Sequence, residues 1–176
     1  AVLRGLNASV MVLTGGPGTG KTTTTNVLVR AFEAQHRKVL LASPTGRAAK
    51  RASEVTGRQA KTIYRLLSWK PELRAFEHNK GNPLVADVII VDNLSCLVRS
   101  SADENSAESW NTVLEWSLKM KRERRAVIFI HHSGKNGQQR GTSRKEDSLD
   151  VVINLKRPEN YSPTMGAKFE VHYEKN

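Results

Sequence analysis

Apolar residues along this chain follow two rhythms. Short unbroken runs, "SVMVLTGG" (9–16), "KVLLAS" (38–43), "VADVIIVD" (85–92) and "AVIFIHH" (126–132), have the length and β-branched content of buried strands. Between them, apolar positions recur at helical spacing. Residues 21–36 predict a helix with Val27, Leu28, Ala31 and Phe32 on one face. Residues 45–57 predict a second helix, stopped by Gly57, and residues 61–69 a short one. Residues 105–124 predict a long helix, capped by Asn105 with Glu108 three positions on, as in a capping box. Its stripe of Trp110, Val113, Leu114, Ser117 and Met120 faces the core, and both Trp110 and Trp116 are read as packing residues. Residues 70–83 are polar and irregular, an exposed excursion, and residues 133–147 form a polar loop rich in glycine. "DVVINLKR" (150–157) and "KFEVHYEK" (168–175) alternate like a closing strand pair.

Strands alternating with helices imply an α/β fold: one mostly parallel sheet, helices on both faces, and a C-terminal strand pair. Such sheets bind ligands at the carboxyl ends of their strands. The glycine turn after residue 14, Asp92 and the pair His131–His132 all fall at predicted strand ends, which brings them to one crevice.

The chain has 176 residues, a length that suggests one domain over 1–176 with a sizeable core. Its 28 Lys plus Arg exceed its 17 Asp plus Glu, for a net charge of +11 and a pI near 10.1. An excess of that size suggests polyanionic partners, nucleic acid first, with solubility as the bland alternative. The surplus is uneven: residues 1–92 hold 14 basic and 6 acidic residues, residues 93–176 hold 14 and 11. Cys96 is the single cysteine, so no internal disulfide can form and a reducing, cytoplasmic compartment fits. No apolar run approaches the ~20 residues of a membrane span, and no signal peptide is evident.

"GGPGTGKTT" (15–23) matches G-x-x-x-x-G-K-[ST] through Gly15, Gly20, Lys21 and Thr22. The strand before it and the helix after it are the context this phosphate loop requires. Backbone N–H groups of Gly15, Gly16, Pro17's neighbours, Gly18, Thr19 and Gly20 turn inward around phosphates, and the helix aims its positive end at them. Lys21 is expected to reach the β- and γ-phosphates of ATP or ADP, Thr22 to ligate Mg²⁺, and Thr23 to complete the cradle. Asp92, ending its strand, is the second metal-site group. The fold expectation is therefore a single P-loop NTPase domain, and the resemblances below imply that its architecture is RecA-like.

Two resemblances then divide the chain. "VLTGGPGTGKTTT", "ASPTGRAAKR", "TGRQAKTIYRLL" and "ADVIIVD" resemble, in order, the first motor domain of RecD-type superfamily 1 DNA helicases, with Tyr64 where that family usually has His. The resemblance implies a preceding glutamine-bearing segment that reads adenine. The chain begins just after that point, so weak discrimination between ATP and GTP is expected. "DNLSCLVRS", "DENSAESWNTVLEW", "IHHSGKNGQQRGTSRKEDSLDVVINLKRP" and "FEVHYEKN" resemble instead the RepA-like hexameric helicases, with their RecA-type ATPase core. That likeness implies γ-phosphate sensing by His131 or His132 and a finger on a neighbouring nucleotide from Arg140 or Arg144. The two halves meet near 88–93, where the charge balance also changes, and together they imply a recombined or engineered chain.

The junction bears on catalysis. In the RecD-like pattern a water-activating glutamate follows the metal-site aspartate; here Asn93 does. In the RepA-like pattern that glutamate ends the second strand; here Ser43 and Pro44 stand there. Asparagine orients water but accepts no proton at neutral pH. Glu54, Glu104 and Glu108 are substitutes by composition only, with solvated charge as the plainer role. Three functions follow in order: an ATP- and Mg²⁺-binding helicase-type core with weak or absent hydrolysis, a working DNA-dependent ATPase, or a DNA-binding module with a vestigial nucleotide site. Arg47, Lys50, Arg51, Lys135 and Arg144 are the predicted DNA contacts. A monomer is favoured over a hexamer, because neither lineage supplies both sides of its usual closing interface.

Overall fold

In a computed structural model, the protein is described over residues 2–97, 107–131, 149–166 and 168–175. Seven strands form one sheet. In chain order they are β1 (Val10–Gly15), β2 (Val39–Ser43), β3 (Ala60–Thr62), β6 (Val88–Asp92), β7 (Ala126–Ile130), β8 (Val151–Lys156) and β9 (Glu170–Lys175). Across the sheet the order is β3-β2-β6-β7-β1-β8-β9. All neighbours are parallel except the last pair, where β9 turns back against β8. The alternation of strands and helices and the closing strand pair are thus both present. A small hairpin, β4 (Trp69–Lys70) with β5 (Ala75–Phe76), starts at the last residue of the predicted short helix and runs into the segment read as an exposed excursion.

The helices are α1 (Val2–Asn7), α2 (Lys21–Ala34), α3 (Gly46–Thr56), α4 (Ile63–Leu66) and α5 (Ala107–Arg122). Central strands are buried on both sides, so their residues divide between two cores. Met11, Leu13, Ile90 and Ile128 point to one face and pack with Leu28, Val29 and Phe32 of α2; Val2 and Leu6 of α1 cover its edge. Val10, Val12, Ile89, Val91 and Phe129 point to the other and pack with Val113 and Met120 of α5. Trp116 joins that second core, edge-on to Phe129 at 6.3 Å.

Some sequence expectations are corrected here. The buried stripe of α2 is Thr25, Leu28, Val29 and Phe32, spaced i, i+3, i+4, i+7; Val27 lies outside it and is 46% exposed. α1 was not anticipated, since six residues carry too little periodicity to signal a helix. The segment 61–69 is not one helix: β3 adds to the sheet edge first, and Thr62 then caps α4 through the Arg65 N–H. The expected termination of α3 at Gly57 is observed, with Gly57 left-handed at φ 66°. Asn105, the predicted cap of α5, and the loop 133–147 lie outside the described residues.

Candidate nucleotide-binding site

β1 delivers the chain to Gly15, and the turn 16–20 feeds α2. Gly15 sits at φ 148° beside Leu155 of β8, its register partner. A Cβ there would lie 2.5 Å from the Leu155 carbonyl oxygen and 2.7 Å from Thr19 Oγ1, so only glycine fits. Gly20 is left-handed at φ 85° and caps α2 without a side chain, leaving the first helical N–H groups aimed into the turn. The ring of Phe169 lies against it, 2.7 Å from where a Cβ would be.

Lys21 is only 7% exposed. Its ammonium donates to the Gly15 carbonyl at 2.6 Å and the Gly16 carbonyl at 2.7 Å. Burial pushes its pKa below the usual lysine range, while the Asp92 carboxylate pulls the other way. Thr19 Oγ1 donates to Gly16 O at 2.9 Å and Thr25 Oγ1 to Lys21 O at 2.9 Å, holding the loop onto its helix. The loop therefore forms a cradle with its lysine folded inward.

Opposite the loop stands the end of β6. Asp92 is half-buried, and the Asp92–Asn93 peptide is cis. A cavity of about 560 Å³ is lined by Pro17 through Thr23 on one side and by Pro44, Ala48, Arg51, Asp92 and Asn93 on the other. A narrower recess behind it joins Lys21, Thr22, Ser43 and Asp92. Ser43 Oγ is buried there and finds no hydrogen-bond partner among the described residues. The donor set suits a hard cation: a threonine hydroxyl and an aspartate on facing walls, with room left for oxygen ligands from phosphate and water.

Of the residues singled out from sequence, Gly15, Gly16, Pro17, Gly18, Thr19, Gly20, Lys21, Thr22, Thr23 and Asp92 come together at this crevice. Arg47, Lys50 and Arg51 are exposed along α3, but Arg51 also lines the nucleotide cavity. His131 follows β7 and is buried at the same strand-end level, its N–H bonded to Leu13 O at 2.9 Å. His132, Lys135, Arg140 and Arg144 lie outside the described residues. Glu54 pairs with Lys50 on the outer side of α3 and lines neither cavity; Glu104 and the Glu108 side chain are outside the described residues. Asp92 is the one carboxylate lining either cavity among the described residues. Sequence reasoning missed Arg157 and Phe169, which abut Gly18 and Gly20. Both sit where β8 ends and β9 begins, and the pairing of β1 with β8 that brings them there has no local signal.

Comparison with known proteins places this geometry. The model of the AAA domain family matches residues 1–102. The ATP-dependent RecD2 DNA helicase of Deinococcus radiodurans is 48% identical over 88 residues, covering 50% of this chain and 12% of that protein. The RecBCD enzyme subunit RecD of Mycolicibacterium smegmatis is 38% identical over 114 residues, covering 51% of this chain and 21% of that protein. The chain thus spans well under a quarter of the length of these relatives. Among solved structures, a KaiC-like protein from Pyrococcus horikoshii aligns with a TM-score of 0.61 at 17% identity, over 95% of this chain and 79% of its own. The flagellar accessory protein FlaH of Methanocaldococcus jannaschii aligns with a TM-score of 0.56 at 17% identity, over 95% and 78%. At those identities the likeness is one of fold.

Proposed function

Because the chain belongs to the AAA domain family, we propose that it is an ATP- and Mg²⁺-binding core of helicase type that hydrolyses slowly, with DNA as its polyanionic partner. The observation that carries this reading is the crevice itself: Lys21 and Thr22 face Asp92 across one cavity, and that cavity has no second carboxylate among the described residues. ADP or ATP would lay its phosphates along the N–H groups of Gly16 and residues 18–21, drawing Lys21 off the Gly15 and Gly16 carbonyls. Thr22 and Asp92 would hold Mg²⁺, which supplies charge neutralisation on the phosphate oxygens. Asn93, lining the same cavity, can position a water by hydrogen bonding but cannot take its proton. Absence of a general base costs about 10²–10⁴-fold in rate.

An origin in two P-loop lineages, joined near 88–93, is part of this proposal, and what supports it is the partial reach of the curated relatives. Curated relatives cover about half of the chain, whereas fold neighbours cover 95% of it. In this reading the front half brings the loop, the back half brings α5, β7, β8 and β9, and β6 is common ground.

Calorimetry tests the binding claim. Lys21→Ala should weaken Mg-ATP binding at least tenfold while leaving the thermal midpoint within a few degrees of the parent. Equal affinities would mean that the nucleotide, if it binds, sits elsewhere. Turnover measured on the same samples separates binding from hydrolysis; turnover at ordinary motor rates would contradict the missing base.

A further inference from the structure

The end of the sheet remote from the phosphate loop carries its own charge. Register fixes the arrangement. Val39 of β2 pairs with Val88 of β6, and Val88 pairs with Ala126 of β7. The residues just before them, Lys38, Asp87 and Arg125, therefore lie abreast. Asp87 ties the three turns together: its carboxylate accepts the Lys38 N–H at 2.7 Å, its own N–H donates to Lys38 O at 2.9 Å, and its carbonyl accepts the Ala126 N–H at 2.8 Å. Arg125 Nη1 donates to Leu84 O at 3.0 Å, fixing the turn after α5 against the segment before β6. A concavity of about 430 Å³ opens there, with Lys38, Arg124 and Arg125 in its wall beside the carboxylates of Asp87 and Glu123.

Ion pairing leaves part of this charge uncompensated. Glu123 is engaged by Lys119 and Arg125, and Asp150 by Lys121. The side chains of Lys38, Arg122 and Arg124 are exposed and form no ion pair among the described residues. Lys38 and Arg124 sit on turns two strands apart, roughly 10 Å at the usual strand spacing and roughly 17 Å from Asp92 along β6, and Arg122 ends α5 just before the second of these turns.

We propose that this end of the sheet is a nucleic-acid backbone contact surface, separate from the nucleotide crevice. It goes beyond the proposed function, since it requires no nucleotide and no residue of the phosphate loop. A chain of phosphates suits fixed cations spread over such a distance, because phosphate charges recur every few ångströms along each strand. A protein partner suits it less: the lining holds no aromatic side chain, and Val85 is its strongly exposed apolar residue. Backbone contacts carry no sequence information, so binding here is non-specific.

The experiment uses the whole chain and a fluorescent duplex of arbitrary sequence, with anisotropy read across a salt series. The triple variant Lys38→Glu, Arg122→Glu, Arg124→Glu should lose at least tenfold in duplex affinity. The slope of log K against log salt should flatten by about 2–3, near 0.9 per lost phosphate contact. Mg-ATP affinity should not move, which distinguishes this surface from the crevice; Lys21→Ala should do the reverse. The corresponding triple to Gln keeps side-chain bulk without charge reversal and should give a smaller loss in the same direction, guarding against a misfolded Glu triple. Unchanged duplex affinity and slope in a folded triple overturns the proposal, as does a parent chain that binds no duplex at low salt. Loss of binding to anionic lipid vesicles with duplex affinity intact would overturn it in favour of a membrane surface.

Discussion

At Gly15 one missing methyl group decides whether the loop can close. The backbone is in a region that L side chains rarely adopt, and the obstacle to a Cβ is a carbonyl oxygen of the neighbouring strand, which cannot swing away. Gly15→Ala is therefore expected to destabilise the fold by at least about 2 kcal/mol from backbone strain alone, and to weaken Mg-ATP binding as the loop shifts. Urea unfolding of both proteins checks the first part; an unchanged midpoint would show that β1 and β8 separate at little cost. The same residue also marks the reach of sequence reading. Gly15, Gly20, Lys21 and Thr22 are legible because the loop's chemistry is local, set within eight positions. Arg51 reads from sequence as a nucleic-acid contact, yet it also stands in the wall of the nucleotide cavity, because the turn from β2 into α3 brings it over the loop. Arg157 and Phe169 are silent in the sequence because what they touch lies more than a hundred residues away.

Among the elements, the attachment of β8 to β1 depends on Asp150. Its carboxylate accepts the N–H groups of Ser9 and Val10, both at 2.9 Å, and pairs with Lys121 of α5. One side chain thus joins the entry of β8, the entry of β1 and the end of α5. Burial works against its charge, but the Lys121 ammonium and the two backbone donors outweigh it and hold the Asp150 pKa below the usual aspartate range. The sign follows. A depressed carboxyl contributes stability that is fully present above the unfolded-state pKa near 4 and is lost as pH falls through the folded value. Asp150→Asn should therefore narrow the stability difference from the parent progressively below about pH 4. At neutral pH the variant should be less stable by about 2–3 kcal/mol, the range for charged hydrogen bonds to two backbone donors. Denaturant titrations at several pH values read this directly, and a difference that does not change with pH would assign the effect to packing. Strand existence was legible in the apolar runs, but this staple was not. The exposed stripe error in α2 has a related cause: a threonine-rich first turn blurs which face is apolar until the sheet is present.

For the molecule as a whole, the question is where a base facing the nucleotide cavity would have to stand. β6 places Asp92, and Asn93 next to it lines the large cavity with Lys21 and Thr22. Ser43 ends β2 one step beyond the Ala42–Val91 pair, so it flanks Asp92 in the sheet, but it is 1% exposed and faces the narrow recess. Asn93→Glu is expected to raise single-turnover hydrolysis at saturating Mg-ATP, by up to the ~10²–10⁴ that a general base is worth. Ser43→Glu should raise it less, because a carboxylate forced into that recess loses hydration and pushes its neighbours apart. The rescue by Asn93→Glu should still fall short of a complete motor. An arginine acting from a partner surface contributes a further ~10³–10⁵, and none lines the cavity except Arg51 among the described residues. Measured together, the two variants locate the water. If Ser43→Glu gains more than Asn93→Glu at equal nucleotide affinity, the attack path runs along the end of β2. If Asn93→Glu alone gains, the attack path runs along the end of β6. If neither gains, position 93 and position 43 both stand too far from the γ-phosphate for a carboxylate there to reach the attacking water.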